Sequence, residues 1–138
     1  MREILFRGKR IDNGEWVKGS FCMDATEQLY GYNGADGFIR RYSTEKRKTN
    51  MFEVVRDTVG QFTGLTDKNG VRIFERDIVR YNNGVITNDF AVGYSEEWAK
   101  FAFYPPNRVF SVFRSNKYEV IGNIHDNPEL LEVSGNEM

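Results

Sequence analysis

The chain has 138 residues, 40% apolar and 14% aromatic, enough for a buried core and too apolar for global disorder. Its 19 basic and 20 acidic residues give a net charge of -1, so no overall field draws it toward nucleic acid or anionic lipid, although a local basic patch is compatible with that balance. A single cysteine, Cys22, excludes an internal disulfide and points to a reducing cytoplasm. The opening Met1–Gly8 lacks the apolar run of a signal peptide, and no stretch approaches the roughly 20 apolar residues of a bilayer span.

In chain order, the segments Ile4–Ile11 and Glu15–Met23 are expected to pair as a hairpin. Asn13-Gly14 suits a type I′ turn between them, because both residues tolerate positive φ. Tyr30–Gly37 carries three glycines and reads as a loop. Phe38–Tyr42 reads as a short strand, and the polar, basic Ser43–Asn50 as a surface loop. Phe52–Val55 and Thr58–Leu65 read as two separate strands. Asp67–Gly70 is a second turn ending in Asn-Gly, followed by Val71–Phe74 and Asp77–Tyr81, and Asn82-Asn83-Gly84 is a third turn.

Val85–Thr87, Asp89–Tyr94 and Trp98–Tyr104 continue as strands until Pro105-Pro106-Asn107 interrupts the ladder. Val109–Phe113 resumes it, and Tyr118–Ile124 forms the last strand. Asn127-Pro128-Glu129 supplies a cap, a first-turn proline and an acidic residue for a short C-terminal helical turn over Glu129–Glu132. The tail 134–138 is expected to fray. Short strands at turn-rich spacing indicate a mainly β domain, barrel or sandwich.

Three blocks carry a resemblance: Thr58–Gly70 (TVGQFTGLTDKNG), Ile73–Val79 (IFERDIV) and Tyr118–Leu131 (YEVIGNIHDNPELL). With the opening Arg2–Gly8 they resemble the YopX family of phage and prophage proteins, over most of the chain from Met1 to Glu132. The resemblance implies one domain over 1–133, an N-terminal β-hairpin extension over 1–57 and an SH3-like β-barrel core over 58–133. It implies a bacterial host cytoplasm, and it brings no established chemistry and no catalytic residue. One departure stands out: the family usually has glycine where this chain has Arg76, between Glu75 and Asp77. If the backbone keeps a glycine-type turn, Arg76 carries strain of about 1 kcal/mol or more.

The residues themselves offer no catalytic, cofactor or metal site. His125 is the sole histidine, beside Asp126, and reads as a partly exposed residue after the last strand. Cys22 has no basic neighbour in sequence to lower its pKa and reads as a small strand-end thiol. Zinc needs about four Cys or His ligands. Asp67–Gly70 is too short for a calcium loop, and Gly31–Gly37 lacks the Lys-Ser/Thr ending of a P-loop. Glu96-Glu97 has no partner pattern and reads as a solvated pair.

Two surfaces could bind. Arg40, Arg41, Lys46, Arg47 and Lys48, flanked by Phe38 and Tyr42, have the charge and rings that a single-stranded nucleic acid requires, although Glu45 interrupts the run. Trp98–Pro106 is ring-dense; Trp98 is its candidate contact if that strand faces a partner chain or a second copy rather than the core. The expectation is a non-enzymatic, protein-binding accessory protein. A nucleic-acid-binding module is the alternative, an unidentified enzyme comes behind both, and no membrane is expected.

Overall fold

The structure, a computed structural model, describes residues 3–22, 37–104, 110–111 and 117–131. Ten strands run in order: β1 Phe6–Arg10, β2 Trp16–Cys22, β3 Phe38–Ser43, β4 Lys48–Thr66, β5 Arg72–Phe74, β6 Asp77–Asn82, β7 Thr87–Ser95, β8 Lys100–Tyr104, β9 Phe110–Ser111 and β10 Tyr118–Asn123. Residues 129–131 are helical, within the turn expected over Glu129–Glu132. The chain divides into two compact units, Met1–Gln61 and Phe62–Met138. Of the loop expected over Tyr30–Gly37 only Gly37 is among the described residues, and Pro105-Pro106-Asn107 and the tail 134–138 lie outside them.

In the first unit β1 pairs antiparallel with β2, β2 with β3, and β3 with β4, while β1 also pairs with a later stretch of β4. What the sequence suggests as a hairpin extension is therefore two hairpins, β1–β2 and β3–β4, joined by the β2–β3 and β1–β4 ladders. The Asn13-Gly14 turn is wider than type I′. Arg10 and Glu15 close a four-residue loop, Gly14 donates to the Arg10 carbonyl, and only Gly14 (φ 72°) takes a positive φ. β2 and β3 approach so closely that a Cβ on Gly19 would lie 2.3 Å from the Arg40 carbonyl oxygen, so that position accepts glycine alone. Val17, Ile39 and Val54 form the core of this unit, with Phe6, Phe21, Phe52 and Val59 packed on it.

β4 is one 19-residue strand where two short ones are expected, and Lys48–Asn50, expected as loop, is its first stretch. It survives two irregularities because threonine side chains bridge them. The β1 register jumps from Arg7↔Gly60 to Lys9↔Val55. There Thr58 Oγ1 accepts from the Lys9 amide at 2.9 Å and donates to the Val55 carbonyl. Further on, the β5 register jumps from Phe62↔Phe74 to Thr66↔Arg72. Thr63 Oγ1 donates to the Ile73 carbonyl at 2.8 Å and accepts from the Leu65 amide at 3.2 Å. Such bulges keep a long strand continuous while bending it.

In the second unit the strand order is β10-β6-β7-β8-β9, all antiparallel. This overturns the SH3-like barrel expected for 58–133: the sheet is open, and among the described residues no ladder joins β10 to β9. The outer edge of β10 is occupied instead. Val120 donates its amide to Asp67 Oδ2 at 2.9 Å, and Lys68 donates to the Tyr118 carbonyl at 3.0 Å. A turn, not a strand, satisfies the backbone that closure would need.

The sheet is nonetheless curled. Phe103 on β8 and Tyr118 on β10 are separated by β7 and β6 in strand order, yet their ring centroids are 4.7 Å apart. Ile73, Val79, Val92 and Phe103 are buried inside this curl. Burial and the neighbouring Tyr81 push the Tyr118 phenol above its ordinary pKa.

Candidate functional site

The five basic residues singled out in sequence do not form one surface. Directly opposed residues of an antiparallel ladder share a face, and successive residues alternate. Arg40↔Met51 and Tyr42↔Thr49 therefore share one face of the β3–β4 hairpin, while Arg41↔Asn50 and Ser43↔Lys48 lie on the other. Arg41 lies over the Phe52 ring at 5.4 Å from the opposite side of the hairpin to Arg40, and Arg10 lies over the same ring at 4.8 Å. Lys46 and Arg47 sit in the exposed tip between the strands. Phe38, expected as a flanking ring, is buried; Tyr42 is 58% exposed.

Following the face of Arg40 and Tyr42 across the ladders reveals what the contiguous run concealed. Ser20 opposes Arg40, so Lys18, two residues back on the same face of β2, is its diagonal neighbour. Lys18 opposes Arg7, and Trp16 opposes Lys9. Arg7, Lys9, Trp16, Lys18, Arg40 and Tyr42 thus share the outward face of β1, β2 and β3. Lys18, Arg40 and Tyr42 are exposed; Arg7, Lys9 and Trp16 are half-buried. The Arg7 guanidinium lies 4.8 Å above the Trp16 ring and the Lys9 ammonium 5.8 Å from it. Glu53, opposite Phe38, is an acidic member of the same face. The signal that could have found this face is period-two alternation in Arg7-Gly8-Lys9 and Trp16-Val17-Lys18, three residues of which are cationic. Basic residues outnumber acidic ones in 1–61, and the reverse holds in 62–138.

Beside the β1–β2 loop, Arg10, Ile11, Asp12, Met51, Phe52 and Glu53 line a cleft of about 300 Å³. Arg10 grips Asp12 with two hydrogen bonds, at 2.9 and 2.5 Å, and this contact holds the Asp12 carboxyl below its ordinary pKa. The cleft's ionic groups are thus at least partly engaged with each other.

Trp98 lies in a different place from the one expected. It is not in a strand but in the four-residue loop between Ser95 and Lys100, 64% exposed, in the second unit. Its amide donates to Ser95 Oγ at 3.2 Å and Ala99 closes the loop at φ 53°. The Ser43–Lys48 tip is built identically: Lys46 donates to Ser43 Oγ at 3.2 Å and Arg47 closes at φ 48°. His125 is half-buried in the turn after β10, its amide donating to Asn123 Oδ1 at 3.0 Å. Asn127 turns its side chain back to the Asn123 amide at 3.2 Å instead of capping the helical turn. Cys22 is half-buried at the end of β2. Among the described residues, no three His, Cys, Asp or Glu side chains are grouped to hold a metal ion, and no helix is long and apolar enough to cross a membrane.

Two antiparallel sheets, one presenting a cationic and aromatic face, define a β protein built around surfaces. The family model described as YopX protein matches residues 5–132, and the chain belongs to the YopX family. It is thereby a phage or prophage accessory protein. Its structure is similar to the crystal structure of protein EF1440 from Enterococcus faecalis, with a TM-score of 0.55 and 26% identity over 95% of this chain and 99% of that one. No curated protein matches the chain.

Proposed function

We propose that the protein is a non-enzymatic binding module whose working surface is the outward face of β1, β2 and β3, extended by Lys46 and Arg47 of the exposed tip. The observation that carries this reading is the convergence of four cations and two rings from three strands onto one face. Side chains fixed on a sheet lose little freedom on binding, which favours a ladder face over a loop as a recognition surface. The charge reversals Lys18→Glu and Arg40→Glu affect exposed side chains, and thermal unfolding of the double variant checks that it stays folded. The variant is expected to lose the macromolecules that the wild-type protein retains from induced host cells. Equal retention by both proteins would remove this face from the function.

A second reading, contact with a protein partner or a second copy through Trp98, is favoured by that ring's exposure on a structured tip. Light scattering separates the two forms of it. A monomer at high micromolar concentration excludes self-association, and Trp98→Ala then tests a different partner.

A further inference from the structure

We infer that the occupant of the outward β1–β3 face is a single-stranded nucleic acid, a proposal that rests on the reading of this face as the working surface. Charge comes first. Arg7 and Lys18 stand directly opposite each other on the β1–β2 ladder, with Lys9 two residues along β1 and Arg40 diagonal to Lys18. Cations gathered on one face offer their charge to a polyanion, whose binding releases counterions. An apolar protein surface would gain nothing from it.

The rings narrow the choice. Tyr42 is two residues from Arg40 on the same face and more than half exposed. Trp16 carries the Arg7 guanidinium over its ring, a cation–aromatic stack that a base can extend. Rings lying on a sheet reach bases only where those bases are unpaired, because a duplex presents phosphates and groove edges but no open base faces.

The dimensions agree. Three strands span about 10 Å and Arg40 to Tyr42 adds about 7 Å along β3. That suits a footprint of about four nucleotides, the lower end for single-strand binding sheets. Charge and stacking are indifferent to base identity, so the expected preference is for strandedness and not for sequence.

The test is fluorescence anisotropy of labelled oligothymidylate, oligouridylate and a mixed-sequence duplex with the full chain, across a salt series. Both single strands should bind at low salt, with log affinity falling linearly against log salt. The Lys18→Glu/Arg40→Glu variant should weaken binding at least tenfold and flatten the salt slope by about 1.4, at about 0.7 per lost phosphate contact. Lys100→Glu, a single charge reversal on the other unit, should do neither. Tyr42→Ala should cost about tenfold with the slope unchanged, because stacking releases no counterion.

The proposal fails if no oligonucleotide binds at low salt, or if the duplex binds as tightly as the single strands. It also fails if heparin competes normally while Tyr42→Ala has no effect, which marks a generic polyanion surface. If oligonucleotides do not bind but the double variant still loses a retained protein, the face keeps its role and its occupant is a protein. If neither effect appears, both readings fall.

Discussion

At the scale of single residues, the segment 67–77 concentrates both stability and strain. Asp67 is buried, which opposes its ionisation, but amides of Val120, Val71 and Asn69 and the nearby Lys68 outweigh that and hold its pKa below the ordinary value. A depressed carboxylate pKa adds stability above the unfolded value of about 3.9, and that contribution is lost as pH falls through the folded value. Urea unfolding should show this loss below about pH 4. Asp67→Asn should lower stability at pH 7 by about 1–3 kcal/mol, since an amide oxygen replaces only part of a carboxylate's acceptor capacity. The variant should then lose part of the acid dependence. An unchanged acid limb would assign that limb to other carboxylates.

Arg76 answers the question its sequence raises. Its φ of 71° keeps the left-handed turn that glycine would adopt, with its amide on the Val92 carbonyl at 2.7 Å and its carbonyl accepting from Ile124 at 2.9 Å. These backbone bonds hold the turn regardless of the side chain, so the chain tolerates a strained arginine. Arg76→Gly should raise the unfolding free energy by about 1 kcal/mol, the cost of a Cβ in this region offset in part by glycine's unfolded freedom. A loss of stability would show that the arginine side chain contributes more than its backbone strain costs.

At the scale of elements, β4 shows why strands are harder to delimit than turns. The Asn-Gly pairs announced the turns at 13–14 and 69–70 because their need is local: one residue with positive φ. Arg56-Asp57 reads as a break by the same local logic, yet β4 passes through it. What keeps it paired is the hydroxyl of Thr58 or Thr63 standing in for a ladder bond, and that bond is fixed by a strand far away in sequence. Thr58→Val keeps shape and removes the hydroxyl, leaving the Lys9 amide and the Val55 carbonyl without this contact. It should cost about 1–3 kcal/mol in urea or thermal unfolding. Thr58→Ser, which keeps both bonds, should cost clearly less. Equal losses would mean that the methyl, not the hydroxyl, holds the bulge.

The same distinction explains the site. A basic run is visible in the sequence between residues 40 and 48, but a strand sends neighbours to opposite faces, so contiguity misleads: Arg40 and Arg41 part company. The face with Lys18 and Arg7 exists only once three strands are in register, and register depends on Gly19 admitting β3 at close range. Trp98 leaves the expected strand for a related reason. Ser95 and a left-handed Ala99 make a four-residue tip where aromatic content alone reads as strand.

At the scale of the whole chain, each unit has its own core and the two differ in size. Among the described residues, the first unit buries Val17, Phe38, Ile39 and Val54, while the second buries Phe62, Ile73, Phe74, Ile78, Val79, Val92, Ala102 and Phe103. Apolar burial contributes about 25 cal/mol per Å², and aromatic side chains bury the most area each. The second unit should therefore open at a higher free energy. Native-state hydrogen exchange on the intact chain should find the slowest amides in the β6–β7 and β7–β8 ladders. Those of the β1–β2 and β2–β3 ladders should exchange earlier, through a local opening that leaves the second unit protected. Single-strand ligands, if they occupy the β1–β3 face, should slow only that earlier phase, since a ligand stabilises the state it binds. Uniform protection across both units, with or without ligand, would instead make the chain one cooperative block and place its binding energy against the stability of the whole.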